Sequence, residues 1–141
     1  MGQRIDQFCE NLRIKLTTVD NNMAVLKSNM DSNARTAEQD VRNRLAELSR
    51  HADENRAKVA AAQAEIKKWA EERKTATSER IADWKAKLET AALQTRAAAA
   101  EAYANAATTV AIAAIDSAEQ ASLEAWMAWK DAESARGERA A

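Results

Sequence analysis

The chain has 141 residues, with 21 basic and 22 acidic side chains, 46% apolar and 30% charged residues, no proline, and glycine only at Gly2 and Gly137. A net charge of −1 gives no field that would draw in nucleic acid or an anionic membrane. The composition, rich in Ala, Glu, Lys, Arg and Gln and free of breakers over residues 3–136, is that of long helices rather than of sheets or disorder.

The first stretch, 1–35, predicts an N-terminal helix. Ile5, Leu12, Val19 and Leu26 recur every seven residues, and Cys9, Leu16, Met23 and Met30 follow each of them by four. Spacing of three and four is the seam of a helix packed on another helix. Phe8, Ile14 and Val25 fall off this seam, so the helix is expected to touch more than one partner. Asp31, Ser32 and Asn33 compete with the backbone for hydrogen bonds and predict a break, with Thr36 and Gln39 as a restarting cap.

A charged helix is predicted over 36–74, with a seam through Val41, Leu45, Leu48, Ala52, Asn55, Val59, Ala62, Ile66 and Trp69. Asn55 on that seam is a polar residue of the kind that fixes register. Past Trp69 the same spacing would bury Arg73 and Arg80, so a turn is expected at 75–78, with Thr77 or Ser78 capping the next helix. Such a turn brings Trp69 and Trp84, equidistant from it, to the same level.

The segment 79–136 predicts a helix rich in Ala and Trp, followed by a frayed tail at 137–141. Its centre, 97–115, contains Glu101 as its only formal charge. Alanine is the best helix former and leaves a thin side-chain layer, which lets another backbone come close. With the turn at 75–78, this run is expected beside residues 38–56. Ile112, Ile115, Leu123, Trp126 and Trp129 fall on one broad face.

The expected fold is all-α, an elongated antiparallel helical hairpin or coiled coil. The alternatives are a three-helix bundle, made by folding back at 31–36, and a single long helical rod.

Residues able to carry chemistry are few. His51, the only histidine, has Glu47 and Glu54 within a turn, yet Leu48 stands where a Glu-x-x-His metal motif needs its carboxylate. It is expected on a solvated face. Cys9 reads as a small buried seam residue, and Glu119 as a carboxylate at the edge of an apolar stripe reaching water. No nucleophile context or phosphate-binding loop is present, and no catalytic, cofactor or metal site is expected.

Function is therefore expected to lie in surfaces. Interface candidates are Leu12, Leu16, Met23, Leu26, Met30, Leu45, Leu48, Trp69, Trp84, Ile112, Ile115, Trp126 and Trp129. They suit a non-enzymatic structural or adaptor protein, a homo-oligomer (dimer or tetramer) open to a protein partner and not to nucleic acid. One cysteine and no secretory leader in 5–16 fit the cytoplasm. In composition the chain also resembles apolipoproteins and polyester-granule phasins, with no motif carrying the likeness. That resemblance implies an alternative, an amphipathic coat on a lipid or granule surface.

Overall fold

The computed structural model describes residues 2–31 and 37–140, and nearly all of them are helical. The helices are α1 (Gly2–Asp31), α2 (Ala37–Thr75), α3 (Ser78–Ala86) and α4 (Thr90–Ala140). The fold is all-α, as its lack of breakers predicts. The expected break and restarting cap at 31–36 involve positions outside the described residues. At the other end, α4 continues through Gly137, where the expected frayed tail would begin, to Ala140.

The turn at 75–78 is present. Thr77 has extended backbone, φ −69° and ψ 160°, and its hydroxyl accepts the Arg80 N–H at 3.2 Å. That bond satisfies one of the donors a helix start leaves open.

The continuous helix expected over 79–136 is interrupted at residues 87–89. Lys87 caps α3, and Leu88 enters the left-handed region at φ 55°. The Leu88 N–H donates to the Lys85 carbonyl at 3.2 Å, and the Glu89 N–H to the Trp84 carbonyl at 2.9 Å. These are the two bonds of a Schellman motif, which normally has glycine where Leu88 stands.

The chain divides into two compact units, Met1–Leu12 with Arg56–Ile112, and Arg13–Asn55 with Ala113–Ala141. In the second unit, Leu26 of α1, Val41 and Leu48 of α2 and Leu123 of α4 form a buried cluster. Met23, Met30, Leu45, Trp126 and Met127 pack against it while remaining half-buried. Three helical segments thus share one core, so α1 joins the hairpin as a third helix and the single rod is set aside. Each large side chain in this cluster withdraws enough apolar surface to contribute about 1.5–3 kcal/mol.

In the first unit, the Trp69 and Tyr103 rings stack with centroids 5.5 Å apart and planes 18° apart, which fixes α4 against α2. Ala62 and Ala106, both buried, line one cavity between these helices. The centre of the alanine-rich stretch, 101–109, therefore lies along 58–65 rather than within 38–56 as a simple hairpin predicts. The reason is α3: it ends at the Leu88 break, and the strand of helix that returns along α2 starts at Thr90. Ala102 and Ala106 of α4 consequently border the same cavity as Ala61 and Ala62 of α2.

Candidate functional site

Charge, not only apolar spacing, sets which faces turn inward in the second unit. On the part of α1 in this unit the less exposed line runs through Lys15, Val19, Asn22 and Leu26. Lys15 forms an ion pair with Asp116 of α4, and the two side chains are only 19% and 14% exposed. Burial of Lys15 turns Leu16 and Cys9 outward. Leu16 is 51% exposed and Cys9 is an exposed free thiol, which corrects the expectation that the cysteine is buried on the seam. Phe8, expected off the seam, is half-buried.

The same holds on α4. Glu119 is 3% exposed and receives two hydrogen bonds from Arg44 of α2, Nε to Oε2 at 2.5 Å and Nη2 to Oε1 at 2.9 Å. The expectation of a carboxylate reaching water is overturned: an arginine replaces the water. Bonding to Glu119, more than enough to outweigh burial and helped by Glu47, pushes the Arg44 pKa further above its usual value. A fork-to-carboxylate pair of this kind is geometrically demanding and fixes the register of α2 against α4. Trp129, expected on the inward face, is turned out and 67% exposed, because Glu119, Leu123 and Trp126 or Met127 occupy that line.

Other interface candidates divide by burial. Leu26 and Leu48 are buried in the chain's own core. Leu12, Met23, Met30, Leu45, Trp69, Trp84, Ile112, Ile115 and Trp126 are half-buried. His51 is half-buried rather than fully solvated, while Ala52 beside it is exposed. Among the described residues no three of His, Cys, Asp and Glu are grouped to hold a metal ion.

The exposed large apolar side chains of α1 form two lines. Eleven residues are almost three helical turns, so Ile5 and Leu16 lie in one line and Ile14 and Val25 in another on the opposite side. All four are between 42% and 61% exposed. The inward stripe lies between the two lines, leaving α1 apolar on both of its flanks.

Among the described residues, two cavities lie in the first unit, the second of them lined by Trp69 of the Trp69–Tyr103 stack. One, about 730 Å³, is bordered by Phe8, Ala61, Ala62, Ala102, Ala106 and a balanced set of charges, Arg4 and Lys58 against Glu65 and Glu101. It exists because alanine side chains fill little of the space among α1, α2 and α4. The other, about 650 Å³, lies at the α2–α3 turn and brings Trp69, Trp84 and Ile81 together with Arg73 and Arg96. The expected meeting of Trp69 and Trp84 takes the form of a shared cavity wall. Sequence spacing gave no sign that Tyr103 would be the stacking partner of Trp69, since that depends on the break at Leu88.

No helix among the described residues is long and apolar enough to cross a membrane. No protein-family model, curated protein or solved structure matches the chain.

Proposed function

We propose that this chain is a non-enzymatic structural or adaptor protein that acts through helix–helix association, joining copies of itself as a dimer or tetramer and offering its remaining faces to a protein partner. The observation that carries this is the exposure of Ile14, Leu16 and Val25 on α1 and of Trp129 on α4, at 51%, 51%, 61% and 67%. Isolated exposed apolar residues are ordinary, but two aligned rows on one helix form the kind of surface a second helix covers. In keeping with a structural role, the buried carboxylate of Glu119 is held by Arg44 in an ion pair between α4 and α2. A cytoplasmic setting suits the exposed free thiol of Cys9.

The test is the solution mass by sedimentation equilibrium, for the natural chain and for Ile14→Gln/Leu16→Gln/Val25→Gln. The natural chain is expected above monomer mass at micromolar concentration and the triple variant shifted toward monomer. A compact natural monomer rejects the proposal. The same exposed groups would also serve a lipid or granule coat, although the polar faces lack the basic excess that anionic surfaces favour. Flotation with neutral and anionic liposomes separates the two readings.

A further inference from the structure

We propose that the cavity at the α2–α3 turn binds a small planar aromatic anion, an aryl carboxylate of one or two rings. Its volume, about 650 Å³, lies within the range of small-molecule pockets. Trp69 and Trp84 are half-buried and line it, and Ile81 adds aliphatic wall. Indole surfaces favour flat aromatic guests, both by area and by ring geometry.

The two indoles are held in place before any ligand arrives. Trp69 is stacked on Tyr103, and Arg80 lies over the Trp84 ring at 5.8 Å. Arg80 is tethered in turn, its guanidinium donating to the Thr75 carbonyl at 3.3 Å. A wall fixed in this way loses little entropy on binding.

Charge selects the anion. Arg73 and Arg96 line the cavity and form no ion pair among the described residues, against the single acidic side chain of Glu72. The hydroxyls around the cavity are mostly taken by backbone: Thr75 donates to the Glu72 carbonyl, Thr95 to the Ala91 carbonyl, and Thr77 accepts from Arg80 N–H. A sugar or other neutral polyol would find few free partners there. A carboxylate would find two guanidiniums, each able to bind it through paired N–H groups.

The experiment is a titration of the full chain with 2-naphthoate, read on the four indole N–H resonances after their assignment by single Trp→Phe variants. The Trp69 and Trp84 signals are expected to shift saturably, with a Kd on the order of 1 mM or tighter for a ligand of this size, while Trp126 and Trp129 stay in place. The cationic analogue 2-naphthylmethylammonium should bind at least about tenfold more weakly, and Arg73→Gln/Arg96→Gln should lose about tenfold in naphthoate affinity. Both arginines are exposed, and unchanged helical circular dichroism checks that the variant keeps its fold. No saturation by about 10 mM, equal shifts at all four indoles, equal binding of the cation, or an arginine variant that binds normally would each overturn the proposal.

Discussion

Arg44 of α2 holds Glu119 of α4 in a two-bond fork across 75 residues of sequence, and the carboxylate side chain is wholly shielded from solvent while the arginine side chain is 15% exposed. Removing one partner of such a pair strands the other. Arg44→Met is therefore expected to destabilise the chain by about 3–5 kcal/mol, and Arg44→Met/Glu119→Leu by far less, because an apolar pair has no charge left to desolvate. Urea unfolding of the two single variants and the double variant gives the coupling. Additive losses would show that the two residues act independently.

The pair also has a defined pH signature on its basic side. Glu119 raises the Arg44 pKa in the folded chain above its unfolded value. A cation with a raised folded pKa contributes its full stabilisation below the unfolded pKa and loses it only as pH rises through the folded one. For a guanidinium both values lie beyond the alkaline range in which lysines titrate. The coupling measured by the double-mutant cycle should thus be the same at about pH 7 and about pH 10. Arg44→Lys is expected to fall short at both, since an ammonium cannot reproduce the fork.

Two leucines predicted on helix seams, Leu48 on α2 and Leu16 on α1, should respond very differently. Leu48 is 1% exposed and Leu16 is 51% exposed. Leu48→Ala is expected to cost about 2–5 kcal/mol through lost burial and a residual cavity. Leu16→Ala should change the unfolding free energy of the isolated chain by less than about 0.5 kcal/mol. Dilution series distinguish this from any effect on self-association, which depends on protein concentration.

The contrast between Leu48 and Leu16 marks what apolar periodicity can and cannot convey. Val41, Leu48, Leu26 and Leu123 are buried where spacing places them, and Thr77 caps α3 where the charge conflict at Arg73 and Arg80 demands a turn. Lys15, Asp116 and Glu119 are the departures. A single helix pattern puts charged residues outside, and only the facing helix reveals that each has a counter-charge at the right level. The break at Leu88 was hidden for a different reason: a leucine in the left-handed region is a poor local choice, held by the two Schellman bonds and giving no signal of its own. Its position then moved the alanine-rich run by several turns along α2 and gave Trp69 its neighbour Tyr103.

The N-cap at Thr77 is a local test of the turn that shapes the tryptophan-lined cavity. Thr77→Ala removes the acceptor for the Arg80 N–H and should cost about 1 kcal/mol. Thr77→Ser and Thr77→Asp should retain most of the stability, because each supplies an oxygen at the same place. If all three variants unfold at the natural urea midpoint, the cap contributes nothing to the turn.

Leu88 offers a substitution expected to stabilise. The residue is 82% exposed, so replacing it forfeits little burial, whereas its φ of 55° carries a steric penalty of about 1–2 kcal/mol that glycine escapes. Glycine gives back part of that gain through the greater freedom of the unfolded chain. Leu88→Gly is therefore expected to raise stability by about 0.5–1 kcal/mol, and Leu88→Val, with a branched Cβ in the same conformation, to lower it. Urea unfolding of both variants provides the measurement. A glycine variant less stable than the natural chain, under conditions where the chain is monomeric, would mean that the leucine side chain makes a contact that outweighs its backbone strain.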